Sequence, residues 1–135
     1  MTGPYTVEDF LRMVSAEFPV TAHPDFAEDV ASFEGFSYMQ VGALARLAQR
    51  AKRAADWDTY RRVMSLADTL WRRPSHELLN MLNVSFLEHI DFDGPRGPTA
   101  WALLSPELQD GWRVMRAYNE RVAQHGKPAS RRRKS

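Results

Sequence analysis

Residues 75–90 read Ser-His-Glu-Leu-Leu-Asn-Met-Leu-Asn-Val-Ser-Phe-Leu-Glu-His-Ile, and no single helical stripe can hold all their apolar side chains. Leu78, Leu79, Met81, Leu82, Val84, Phe86, Leu87 and Ile90 make a helix apolar nearly all round. Such a helix needs neighbours on several sides. The stretch therefore predicts an all-α fold: a single-domain bundle of about five to seven helices around a central buried helix, 75–90. A chain of 135 residues has room for one such core. No apolar run approaches bilayer length, so no membrane partner is expected. Glu8 and Asp9 stand where a signal peptide would carry bases, and a cytoplasmic location is expected. The absence of cysteine excludes disulfides, thiolate metal sites and cysteine nucleophiles.

The other helices follow from caps and spacing. Thr6 caps a first helix, whose Val7, Phe10, Leu11 and Val14 recur at helical intervals up to Pro19. Pro24-Asp25 opens a second, with Phe26, Val30 and Phe33 inward. A third runs to about Ala54, with Val41, Leu44, Ala45, Leu47, Ala48, Ala51 and Ala55 inside and Arg46, Arg50 and Arg53 as an outer stripe. Asp56 caps a fourth, antiparallel to the third, with Trp57, Tyr60, Val63, Met64, Ala67, Leu70 and Trp71 inside. Ser75 caps the central helix. Residues 91–98 hold two glycines and two prolines and form a loop. Ser105-Pro106-Glu107 starts a last helix, with Leu108, Trp112, Met115, Tyr118 and Val122 inward. The domain is placed at 1–126, with a disordered basic tail at 127–135.

Charge is segregated along this layout. Residues 1–34 hold seven acids and one base, residues 35–73 eight bases and three acids, and residues 74–93 four acids and no base. Lys127, Arg131, Arg132, Arg133 and Lys134 leave the remaining body with thirteen bases against seventeen acids. Charge sign steers partners.

No catalytic pattern accompanies the bundle. His76-Glu77 lacks the second histidine of a zinc-protease helix, and neither a phosphate-binding loop nor a nucleophile elbow is present. Glu88, His89, Asp91 and Asp93 do not have EF-hand spacing and read as a solvated helix end, so no metal and no cofactor are expected. Asn80 and Asn83 are read as amides bonded within the bundle. The acids point instead to protein binding. Asp25, Glu28, Asp29 and Glu34 lie beside Phe36 and Tyr38. Glu88, Asp91 and Asp93 lie beside His89 and Phe92. Aromatics anchor such a surface, and acids steer a basic partner onto it.

The segment Asn83-Val-Ser-Phe-Leu-Glu-His-Ile90, followed by Trp101, Leu104-Ser-Pro-Glu-Leu108 and Trp112, resembles a group of small all-helical bacterial proteins associated with polymorphic toxins. Several of these are read as immunity proteins. The resemblance spans roughly residues 38–118, with Val-Ser-Phe-Leu-Glu as its core. It implies a binding inhibitor of a cognate toxin domain, for instance a nuclease, rather than an enzyme. The expected partner-binding residues are Asp25, Glu28, Asp29, Glu34, Phe36, Tyr38, Glu88, His89, Asp91, Phe92 and Asp93. One alternative is a nucleic-acid-binding or regulatory module using Arg46, Arg50, Arg53, Arg61, Arg62 and the tail. The net-acidic body and the lack of a helix-turn-helix pattern count against it. A third reading is an enzyme built around Asn83, Glu88 and His89.

Overall fold

The computed structural model describes the backbone of residues 3–134 and the side chains of residues 3–124. Seven α-helices follow one another: α1 (Val7–Glu17), α2 (Pro24–Ser32), α3 (Ser37–Arg53), α4 (Trp57–Arg72), α5 (His76–Met81), α6 (Gly97–Ala102) and α7 (Pro106–Lys134). Between α5 and α6 lie one π-helical turn, Leu82–Phe86, and one 3-10 turn, Leu87–His89. The all-α single-domain bundle is therefore observed. Among the described residues there is no strand. One backbone bridge ties the N-terminal segment to the α4–α5 junction: Tyr5 N donates to Arg73 O at 2.7 Å and Ser75 N to Tyr5 O at 2.7 Å.

Side-chain caps set the helix starts. Thr6 Oγ1 accepts from Asp9 N, while Asp9 Oδ2 accepts from Thr6 N in return. This reciprocal pair satisfies two N–H groups that the first turn leaves free. Asp56 accepts from Thr59 N, Ser75 from Leu78 N and Ser105 from Leu108 N, as their positions in the sequence imply.

The core forms where α3 meets its neighbours. α3 packs on α2, α4, α5 and both turns that follow α5. Its small Ala43, Ala45, Ala48 and Ala51 are buried with Val41, Leu44 and Leu47, and they let those neighbours approach closely. Tyr60 on α4 is wholly buried and donates its hydroxyl to Ala100 O at 3.2 Å. Burial, and then the negative Asp91, push its phenol well above the usual range.

The 75–90 segment is buried at Leu78, Met81, Leu82, Ser85, Phe86, Leu87 and Ile90, but it is not one regular helix. A π turn inserts one residue per turn and rotates everything beyond it. Here the rotation brings both Phe86 and Leu87 inside. Asn83 Nδ2 donates to Leu79 O at 3.3 Å, one turn back, and occupies that carbonyl where the winding changes. Val84, within the π turn, is left exposed, so the segment is buried on several sides but not all round.

α7 departs from expectation in two ways. Its backbone stays helical past Gly126, where the sequence suggested an end. Tyr118 and Val122, expected inward, are exposed, as is Val114, because no element among the described residues covers that part of the helix. Leu108 and Met115 are buried and Trp112 is half-buried. The side chains from residue 125 onward, and with them the basic groups of the tail expected at 127–135, lie outside the described residues. Among the described residues no helix is long and apolar enough to cross a membrane.

Candidate functional site

The eleven residues expected to bind a partner divide into groups that the structure treats differently. Asp29 is already bound: its carboxylate takes Arg46 Nε at 2.8 Å and Nη2 at 3.0 Å in a two-pronged pair. Arg46 also donates to Met39 O and lies over the Phe33 ring. Asp29 is thus a clamp between α2 and α3. Phe92 is half-buried in an edge-to-face trio with Trp101 and Trp112, at ring-centre distances of 4.9 and 5.2 Å. Trp112 Nε1 donates to Ile90 O at 3.2 Å and fixes that trio to the end of the 3-10 turn.

Asp91 is the second clamp. Its Oδ1 accepts from Lys52 Nζ at 2.8 Å and its Oδ2 from Gln49 Nε2 at 2.7 Å, while its backbone carbonyl takes Lys52 Nζ at 2.6 Å. The Lys52 side chain is only 7% exposed. Lys52 chiefly, then Gln49 and the Asp93 backbone N–H, hold the Asp91 carboxyl below the usual range. A depressed native pKa stabilises the fold above the unfolded value and loses that contribution as pH falls through the native one. Asp91→Ala is therefore expected to cost about 2–4 kcal/mol at neutral pH, because it leaves a buried ammonium short of its counter-charge. Lys52→Met removes the charge altogether and is expected to cost less. Urea titrations test the order of the two variants. The gap between wild type and Asp91→Ala should begin to narrow near pH 4 and close only as pH falls through the lower native value.

Asp25, Glu28, Glu34 and Asp93 are exposed and make no side-chain ion pair among the described residues. Phe36 is 67% exposed at the start of α3, next to Glu34 in the chain. Tyr38 is exposed too, and its hydroxyl accepts from Asn80 Nδ2 at 2.6 Å. Asn80 then leads into a groove of about 380 Å³ lined by Asn83, Val84, Glu88, Val114, Tyr118 and Asn119, with Met115 and Arg121 closing it. The groove runs between the π turn and α7. Val122 lies one helical turn beyond Tyr118 on α7.

Large exposed apolar residues among those described are Val20, Phe36, Tyr38, Met39, Val84, Val114, Tyr118 and Val122. Of these, Val84, Val114 and Tyr118 line the groove, and Tyr38 joins it through Asn80. Of the residues expected from the sequence, Glu88 lines the groove and Tyr38 joins it; the α7 wall was not expected, because helical spacing places Tyr118 and Val122 in the core. His89 takes no part in the groove. It faces a separate concavity formed with Arg46, Gln49, Arg50 and Arg53 of α3. Consecutive residues of a 3-10 helix project about 120° apart, which sends Glu88 to the groove and His89 to the arginines. No group of three or more His, Asp or Glu side chains among the described residues is placed to hold a metal ion.

A family model for a domain of unknown function, DUF7674, matches residues 19–120 and so covers three quarters of the chain. The chain belongs to the DUF7674 family. Apart from Arg121, every residue that lines the groove falls within the DUF7674 match, whereas α1 lies before it. No curated protein and no solved structure matches the chain.

Proposed function

We propose that this protein is a binding inhibitor, an immunity protein that occludes a cognate bacterial toxin domain in the cytoplasm, and that it docks through the groove between the π turn and α7. The observation that carries this reading is the groove in which the exposed Val84, Val114 and Tyr118 lie together, with the exposed Tyr38 bonded to its Asn80. A contiguous apolar surface ringed by polar groups is characteristic of an interaction site, and tyrosine is favoured at the centre of such sites. The segment Val84-Ser-Phe-Leu-Glu88, which carries the likeness to toxin-associated proteins, supports the same face. Its Ser85, Phe86 and Leu87 are buried, while Val84 and Glu88 line the groove. Glu88 in the groove, with an otherwise net-acidic body, suits a basic toxin surface.

The test is co-production with the product of the neighbouring gene. Recovery of a stable complex, and survival of cells making that product only when this chain is present, is the expected result. Failure of both removes the reading. The nucleic-acid alternative has less support than its arginine count implies. Arg46 is taken by Asp29, and Arg62 is taken by the side chain and carbonyl of Glu17, at 2.8 and 2.6 Å. The stripe is interrupted where a phosphate backbone would need it continuous.

A further inference from the structure

The groove between the π turn and α7 carries its charges in an order that a second copy of the same chain matches. Its two ionic side chains, Glu88 and Arg121, are exposed, and neither makes an ion pair among the described residues. They stand towards opposite ends. Leu87, next to Glu88 in the 3-10 turn, brings its Cδ1 to 3.5 Å from where a Cβ on Gly111 would sit, which sets Glu88 near the level of Gly111 on α7. Arg121 follows Gly111 by ten residues, about 15 Å along the helix axis. Between these levels the α7 wall is apolar: Val114 is 69% exposed and Tyr118 58%, and Val84 of the π turn lines the same groove. The surface is therefore negative at one end, apolar in the middle and positive at the other.

Such an order is self-complementary. Under a twofold axis two copies present one patch to each other with its ends exchanged, so acid meets base twice. The spacing along α7 fits. An axis level with the midpoint between Val114 and Tyr118 sets Val114 against Tyr118 of the second copy, and Tyr118 against its Val114. The same axis sets Arg121 level with Gly111 of the second copy, where Glu88 stands. One register thus satisfies the apolar and the ionic pairs together. Centring on Tyr118 instead would carry Arg121 about 6 Å past Glu88. We infer that the protein forms a twofold-symmetric dimer through this groove, the two α7 helices antiparallel, with Glu88 of each copy paired to Arg121 of the other. The apolar middle supplies affinity. The ionic pairs at the rim fix the register and oppose a parallel arrangement, in which like charges meet. The dimer covers the face that the toxin reading uses, so a second copy and a toxin domain compete for it. The inference itself does not rest on that reading.

A contact of two helical turns belongs with transient interfaces, and a dissociation constant on the order of 10–100 µM is expected. Sedimentation equilibrium of the full chain across that range should show monomer and dimer with no larger species. Glu88→Arg sets two arginine pairs across the interface and Arg121→Glu two glutamate pairs, and each is expected to weaken self-association at least about tenfold. An equimolar mixture of the two variants restores opposite charges at both pairs, and should recover the dimer at the wild-type level. Both side chains are exposed, so the melting curves should match wild type. A wild-type chain that stays monomeric throughout, or that assembles beyond the dimer, overturns the inference. So do single variants that dimerise like wild type, or a mixture that stays monomeric. The dimer is measured without the neighbouring gene product, so its failure and the failure of the toxin reading are separate results.

Discussion

Gly97→Ala is expected to be among the most damaging single substitutions in this protein, at about 3 kcal/mol or more. Gly97 is buried at the start of α6, and its N–H donates to Gly94 O at 3.1 Å. A methyl group there would land on the carbonyl oxygen and carbon of Phe92. Those are backbone atoms, so no rotamer change relieves the clash; the 92–97 loop itself must move. Phe92 would then pull away from Trp101 and Trp112, and the Trp112 bond to Ile90 O would be strained. For a domain of this size the loss corresponds to a melting temperature lower by roughly 10 °C, with altered tryptophan emission. Gly94→Ala is the matched control. Gly94 has φ +79 but open space around its Cβ position, so only backbone strain of about 1 kcal/mol is expected. A Gly97→Ala protein that melts and fluoresces like wild type would show that the loop is not held as described.

Helices and their starts were legible because their causes are local. Apolar spacing and the caps at Thr6, Asp56, Ser75 and Ser105 act within one or two turns of chain. The π turn was not legible. It answers a tertiary demand, the simultaneous burial of Phe86 and Leu87, and Asn83 reads in the sequence as an ordinary polar residue. Ala55 is a comparable case. It holds φ 56 between α3 and α4, where a glycine would have announced the left-handed turn. The close connection to Asp56 imposes that conformation instead.

The candidate site was half legible for a related reason. Composition shows that acids and aromatics are neighbours in the chain; it does not show which acids already have bases. Asp29 meets Arg46 seventeen residues on, and Asp91 meets Lys52 thirty-nine residues back. Both ion pairs are made by folding, and both remove a carboxylate from the expected surface. The reverse happens on α7. Its 3–4 spacing marks Val114, Tyr118 and Val122 as an apolar stripe, and periodicity cannot say whether the chain itself covers the stripe. Here it does not, and the residues left over became the strongest sign of a partner.

That separation decides between shape and charge as the source of affinity. Val84→Asp with Tyr118→Asp is expected to weaken binding to the cognate partner at least about a hundredfold, the loss of two central contacts at a hot spot. Both side chains face solvent, so each change should alter stability by less than about 0.5 kcal/mol. Asp25→Asn with Glu28→Gln and Asp93→Asn is expected to cost tenfold or less, chiefly in the association rate and most visibly at low salt. Those exposed acids accelerate encounter but bury little surface. Association and dissociation rates of the two variants, measured at two salt concentrations, separate the contributions. A groove variant that binds normally while the acid variant fails would move the docking face to the N-terminal acidic segment. The apolar flank would then have to be covered by something else, because exposed valine and tyrosine along two turns of α7 are costly to leave in water.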